Sequence, residues 1–411
     1  MIGIKRNIAK KVQHLLTQFP CVAIIGARQT GKTFVARQLF PDWKYMDLQQ
    51  IEDREQIAYD PAFFFQSYPN QVILDEAQDY PALFNTLRGV IDQDRQQKGR
   101  FIVTGSSNPS LLNQLSESLA GRVAIVELGT LKANEYYQQE LSPFYHLFNQ
   151  KLDRNQLLLD GPSPLTREQM QFVWLHGGYA EPLLVNELDY YDTWMSNYRQ
   201  TYINSDIAGL FPRLNREAFQ RFFSMLGQLS GTVINKSALA RAVQVSEPTI
   251  NDYIDIADGT FIWRKQLSYT GNTRKTITKL PKGTIRDSGL LHYLLKIADY
   301  DSLLSHPMVG QSFEGFVCEE LLKGLSACAI NNWDAYYYRT RNGAEVDLVI
   351  EGSFGLLPIE IKHGSSTSMK QLTSLKNFVQ ETNAPFGIVI NQHEEAAWLS
   401  PDIFRLPVGW L

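Results

Sequence analysis

Gly26-Ala27-Arg28-Gln29-Thr30-Gly31-Lys32-Thr33 follows directly on the apolar run Cys21–Ile25. Strand, glycine-bounded loop and helix thus arrive in the order that GxxxxGK[ST] chemistry requires. Glycines at both ends let the backbone wrap a triphosphate, with amide N–H groups and the start of a helix near Lys32 facing the anion. Lys32 would reach the outer phosphates and Thr33 would hold magnesium, making Mg2+ and ATP the expected cofactors. Gln71-Val72-Ile73-Leu74-Asp75-Glu76 is a buried-strand pattern ending in two acids. Beside such a loop, Asp75 would orient the metal and Glu76 would polarise the attacking water. Arg100–Thr104 leads into Gly105-Ser106-Ser107-Asn108, which places Ser106 and Asn108 where a γ-phosphate would be sensed. Arg122, just before a further strand, suits either of two roles: a finger on a neighbouring subunit's nucleotide, or a local salt bridge.

A second constellation lies near the other end. Asp347 sits in the apolar run Glu345–Glu351, and Glu360-Ile361-Lys362 ends the next one. Residues two apart on a strand share a face, so Glu360 and Lys362 project together and Asp347 on the adjacent strand approaches them. Carboxylates so placed would bind one or two Mg2+ that activate water and clamp a phosphodiester. Lys362 would stabilise the charge that develops. Glu314, on a preceding helix, would complete the metal's ligands. The same residues also suit a merely solvated strand face.

The elements that must position these residues are readable from periodicity. Strands near Cys21–Ile25, Trp43–Asp47, Gln71–Asp75, Arg100–Thr104 and Val123–Leu128, separated by helical segments, describe a doubly wound parallel α/β sheet with its ligand at the carboxyl ends. Lys132–Met170 is polar and aromatic, broken by Pro143, Pro162 and Pro164, and reads as part of a helical lid. Lys236–Val243 and Glu247–Ile254, joined by a tight turn, resemble a helix-turn-helix, and Phe261–Leu267 with Lys279–Thr284 would form the ribbon of a winged helix. Glu247, Asp252 and Asp255 on the second helix oppose major-groove binding. The basic stretch Arg274, Lys275, Lys279, Lys282 and Arg286 is the better electrostatic footprint. Both uses of this fold, DNA contact through the wing and protein packing, stay open, the second with more weight. Farther on, a helix at Ser312–Leu325 precedes strands at Tyr336–Arg339, Glu345–Glu351 and Leu357–Lys362. A helix at Ser368–Gln380 and a strand at Phe386–Ile390 complete an α-β-β-β-α-β order.

At 411 residues the chain exceeds what one hydrophobic core usually organises. A net charge of −4 excludes a globally basic nucleic-acid coat, so any DNA contact must be regional. Cys21, Cys318 and Cys328 lack zinc spacing and read as reduced, buried thiols. No apolar run approaches the length of a membrane span, and the expectation is a cytoplasmic protein with no membrane partner.

GARQTGKT, VILDEAQ, FIVTGSSN and SLAGR, followed by HGGYAEPL at 176–183, together resemble a family of prokaryotic AAA+ ATPases with a C-terminal domain of unknown function. The resemblance covers nearly the whole chain. It implies an AAA+ fold with Walker A and B elements, Mg2+-ATP, and a homo-oligomer, ring or dimer, in which arginines act in trans. The α-β-β-β-α-β order with Asp347 and Glu360-Ile361-Lys362 resembles the restriction-endonuclease-like core and its PD-(D/E)xK motif. The expected division is 1–130 ATPase domain, 131–210 helical lid, 211–285 winged-helix-like domain and 286–411 nuclease-like domain. Two functions follow. One is an ATPase that hydrolyses ATP to place a nuclease-like domain on DNA, in defence or mobile-element biology. The other is an ATP-dependent switch or scaffold whose nuclease-like domain is inactive and binds a protein or DNA partner.

Overall fold

Cys21–Gly26 (β1) is buried along its whole length, as a strand covered on both faces must be. The computed structural model describes residues 3–106, 115, 117–157, 159, 161–271 and 280–411. Of the residues singled out above, Asn108, Arg274, Lys275 and Lys279 lie outside them. The chain divides into two compact units, one of Met1–Leu131 with Gly259–Phe261 and Ser326–Cys328, the other of the remainder.

In the first unit, β1 is joined by β2 (Lys44–Asp47), β3 (Val72–Asp75), β4 (Phe101–Ser106) and β5 (Val123–Glu127) in the order β2-β3-β4-β1-β5. All pairings are parallel. Successive side chains of β1 enter different cores. Cys21, Ala23 and Ile25 meet Phe84 and Leu87 of helix Ala82–Gln93. Val22 and Ile24 meet Val12 of helix Ala9–Leu16 and Val35 of helix Lys32–Leu39. Each such side chain withdrawn from water contributes about 1.5–3 kcal/mol, so the loop after β1 hangs from a strand anchored in the core on both faces. This is the parallel α/β sheet expected from the sequence.

The second unit carries a nine-stranded sheet in the order β13-β14-β12-β11-β10-β9-β7-β8-β6. Its strands are β6 (Thr232–Val233), β7 (Trp263–Ser268), β8 (Lys282–Ile285), β9 (Trp333–Arg339), β10 (Glu345–Gly352), β11 (Gly355–Ile361), β12 (Gly387–Asn391), β13 (Ala397–Ser400) and β14 (Ile403–Pro407). Helices Arg216–Leu229, Lys236–Val243 and Glu247–Gly259 pack on the β6–β8 end through Phe219, Phe222, Ile250, Ile254 and Trp263. Gln244, in the left-handed conformation at φ 63°, ends the second of these helices and sets the tight turn. Helix Val309–Ala327, the antiparallel strands β9, β10 and β11, helix Thr373–Thr382 and β12 parallel to β11 appear in the expected order. β13 and β14 extend the sheet beyond the elements read from the sequence.

The segment read as a helical lid is woven into this second unit. Lys132, fully buried, donates to the main-chain oxygen of Glu320 at 2.7 Å, and the Trp174 indole donates to Ser312 at 3.0 Å. Phe144, Tyr145 and Phe148 of the short helix Pro143–Asn149 are buried as well. Aromatic residues at this density need a core to cover them. Among the described residues no helix is long and apolar enough to cross a membrane.

Candidate functional site

The phosphate loop is built by steric exclusion as much as by attraction. A side chain at Gly26 would bring its Cβ within 2.2 Å of the Leu128 carbonyl oxygen, and Gly31 stands at φ 88°, a region open to glycine. Thr30 Oγ1 donates to the Ala27 carbonyl at 2.9 Å across the loop. Ala27 is buried beneath the loop, while Arg28 and Gln29 are exposed at its crest, Gln29 at φ 63°. Arg6, from the segment before the first helix, donates to the carbonyls of Thr30 at 2.8 Å and Gly129 at 2.7 Å, clamping the loop from below.

Lys32 is 4% exposed, and its ammonium donates to the carbonyls of Ala27 at 2.8 Å and Gly26 at 3.2 Å. Burial pulls this ammonium down to about 8, against the opposing pull of Glu76 and Asp75. Thr33 Oγ1 lies 2.8 Å from Asp75 Oδ2, an all-oxygen pair of the kind Mg2+ accepts. Tyr45 donates to the same oxygen at 2.7 Å, and Thr104 donates to Asp75 Oδ1. Glu76 follows in the left-handed conformation at φ 52°, a strained geometry for a non-glycine residue. Its carboxylate accepts from Gln78 at 2.6 Å and from the Ser106 hydroxyl at 3.1 Å. Ser106, expected to face a γ-phosphate, therefore reaches the carboxylate of Glu76. The cradle and donor set fit Mg2+-ATP: Lys32 and the loop amides would hold phosphates, and Thr33 and Asp75 the metal. Bound there, the nucleotide would supply the phosphoanhydride, and Glu76 is the carboxylate expected to polarise the attacking water.

Arg122 lies elsewhere on this unit and forms a bidentate pair with Asp92, at 2.8 and 2.7 Å. In this chain the local salt bridge is the arrangement adopted. Arg6, Tyr45 and Thr104 were not among the residues singled out from the sequence. For Thr104 the signal was present: a hydroxyl ends β4, and the register that pairs Leu74 with Val103 sets Thr104 beside Asp75.

In the second unit, β10 is irregular where it passes β9. Val346 pairs with Tyr338 and Val349 with Tyr336, so the register shifts at Asp347 and Leu348. Such a bulge re-aims a side chain. Asp347 Oδ2 accepts from the Ile361 N–H at 2.7 Å, which brings it to the strand bearing Glu360. Asp347, Glu360 and Glu314 thus gather, each buried or nearly so. Burial and the neighbouring Asp347 raise both Glu314 and Glu360 above the usual carboxylate range, against the pull of Lys282 and Lys362 respectively.

Lysines already engage the cluster. Lys362 pairs with Glu360 Oε1, and Lys282 lies 2.5 Å from Glu314 Oε1 and 3.1 Å from Glu345 Oε1. Among the described residues no group of three carboxylate, histidine or cysteine side chains is arranged to hold a metal ion. The metal set expected of Glu314, Asp347 and Glu360 is brought together but does not fit Mg2+ as it stands. Lys282, expected on a basic wing, is 2% exposed and points inward. Arg286 likewise pairs with Glu319 at 3.3 Å, beside Arg264. These two therefore add no charge to an outer face. The reason is electrostatic: buried carboxylates on helix Val309–Ala327 demand compensation, and the nearest strand supplies it.

The fold and loop of the first unit define a P-loop ATPase of the AAA type, and residues 18–137 match the AAA domain family. Residues 167–301 and 309–411 match two domains of unknown function, DUF8612 and DUF4143. The uncharacterized proteins Rv2008c of Mycobacterium tuberculosis and Mb2031c of Mycobacterium bovis are each 30% identical over 374 residues, spanning 90% of this chain and 76% of theirs. The chain belongs to the same family as these proteins. Among solved structures it is similar to the Walker-type ATPase PABY2304 of Pyrococcus abyssi, at 13% identity and a TM-score of 0.42 over 72% of this chain and 96% of that one. It is also similar to PH0952 of Pyrococcus horikoshii, a signal transduction ATPase with numerous domains and a tetratricopeptide repeat sensor. That likeness has 14% identity and a TM-score of 0.29, over 77% of this chain and 47% of that one.

Proposed function

We propose that this protein is an ATP-driven switch, in which Mg2+-ATP bound and hydrolysed at residues 1–130 controls a restriction-endonuclease-like scaffold at 286–411 that binds a partner instead of cutting nucleic acid. Residues 131–210 serve as a helical connector and 211–285 as a winged-helix-like domain used for packing. In the ATPase, Lys32 holds the phosphates, Thr33 and Asp75 hold the metal, and Glu76 draws a proton from the attacking water while Ser106 and Gln78 orient its carboxylate. A homo-oligomer, ring or dimer, belongs to this reading, with Arg122 released from Asp92 toward a neighbour's nucleotide. The observation that carries the scaffold assignment is the engagement of Glu314 and Glu360 by the ammoniums of Lys282 and Lys362. A carboxylate committed to an ammonium in a dry interior is a poor first ligand for Mg2+.

The arrangement of Asp347 at the β10 bulge facing the strand of Glu360 and Lys362 favours a second reading, an ATP-coupled nuclease on DNA. One experiment separates them. Purified protein is incubated with linear, circular and single-stranded DNA, with and without Mg2+ or Mn2+ and ATP, beside an Asp347→Ala/Glu360→Ala variant. ATP turnover in both proteins without DNA cleavage supports the switch. Metal-dependent cleavage lost in the variant overturns it in favour of the nuclease.

A further inference from the structure

Hydroxyls from three separate elements converge on the carboxylate of Asp75. Thr33, on helix Lys32–Leu39, spans both of its oxygens, at 3.0 Å from Oδ1 and 2.8 Å from Oδ2. Thr104 of β4 donates to Oδ1, and its own oxygen accepts from the Glu76 N–H at 3.3 Å. One hydroxyl thus ties both acids to β4. Tyr45 of β2 donates to Oδ2 at 2.7 Å.

The reach of Tyr45 follows from strand register. Tyr45 pairs with Ile73 and Asp47 with Asp75, and residues two apart on a strand share a face. The phenol therefore stands on the face of Asp75, one diagonal step away, a span that aromatic side chains cover. The ring is fixed along its length as well. It packs against the core that contains Val35 and Ile73, and the Arg37 guanidinium lies over it, 4.8 Å from its centroid. A carboxylate left to itself turns readily, because its last torsion is broad. Two oxygens with about four lone-pair sites can accept from Tyr45 and Thr104 and still present an open side.

We propose that Tyr45 is a positioning residue for the ATPase: its hydroxyl, acting with that of Thr104, fixes the plane of the Asp75 carboxylate so that only Thr33 has to turn when Mg2+ enters. The proposal rests on the assignment of Thr33 and Asp75 to the metal in the reading above. Thr33 spends its hydroxyl on Asp75 in this structure. Turned to a metal, it releases the lone pairs it occupied, while Tyr45 and Thr104 keep theirs. Outer partners that orient a metal-binding carboxylate typically carry about 10–100-fold in metal affinity.

The test titrates the full-length protein with Mn2+ in the presence and absence of ADP, reading free Mn2+ by electron paramagnetic resonance. Calorimetry in excess chelator gives the metal-free ADP affinity beside it. Wild type should bind one more Mn2+ per chain when ADP is present, and Asp75→Asn should lose that ion. Tyr45→Phe keeps the ring and its contact with Arg37, so it should melt as wild type does and bind metal-free ADP equally well. Its ADP-dependent Mn2+ affinity should fall about 10–100-fold. An unchanged Mn2+ affinity in Tyr45→Phe, with the ion lost in Asp75→Asn, overturns the role of Tyr45 and leaves the ATPase reading standing. Metal-free ADP affinity that falls in the same proportion also overturns it, because the tyrosine would then support the loop as a whole. The ATPase reading fails separately, by a wild type that binds no ADP or by an ADP-dependent ion that survives Asp75→Asn.

Discussion

Raising the pH should weaken nucleotide binding through one buried ammonium. Burial pulls Lys32 in the nucleotide-free loop down to about 8, outweighing the opposing pull of Glu76 and Asp75. It is then roughly 10% neutral at about pH 7 and roughly 90% neutral at about pH 9. A triphosphate against this side chain favours the charged form and pushes its pKa back up. Binding of a non-hydrolysable Mg2+-ATP analogue should therefore take up about 0.5 proton per site near pH 8 and about 0.9 near pH 9, and the affinity should fall roughly tenfold from about pH 7 to about pH 9. Titration calorimetry in two buffers of different ionisation enthalpy reads the proton uptake directly. Affinity that stays flat across this range, with no proton uptake, would refute the burial argument for Lys32.

Other expectations rest on single contacts. Glu76→Gln keeps the shape of the side chain that Ser106 and Gln78 hold but removes the base; ATPase kcat should drop by about 10²–10⁴-fold with nucleotide affinity retained in a filter-binding assay. Gly26→Ala would drive a Cβ to 2.2 Å from the Leu128 carbonyl oxygen; it should cost about 1–3 kcal/mol in denaturant unfolding and remove nucleotide binding. Glu319→Gln removes the buried charge that Arg264 and Arg286 both pair with, and breaking such a buried group should cost about 3–5 kcal/mol, visible as an earlier thermal transition. Burial pushes Glu319 up, but Arg264 and Arg286 override it and hold it at about 2, against an ordinary 4.5. Its folded pKa is depressed, so its stabilisation is present above the ordinary value and is lost as pH falls from 4.5 toward 2. Acid unfolding of wild type should steepen in that window, and the Glu319→Gln variant should lack the added slope.

The strand–loop–helix register at Cys21–Thr33, the paired acids Asp75-Glu76 and the five parallel strands were legible because each depends on local rules. Apolar runs become buried strands, glycines mark close backbone approach, and chain order dictates parallel pairing. The α-β-β-β-α-β order was legible for the same reason, as was the meeting of Glu360 with Lys362, since side-chain direction alternates along a strand; the bulge at Asp347 was not. Tertiary structure alone decided which charges meet. Arg6 reaches the phosphate loop from 24 residues away, and Lys282 crosses from β8 to a helix 32 residues on. No periodicity encodes a contact of that span. Composition marked Lys282 and Arg286 as a basic patch, but a charge is an outward signal only when no buried partner claims it. Glu314, Glu345 and Glu319 claim these two because burial makes an unpaired carboxylate more costly than the loss of a solvated ammonium or guanidinium.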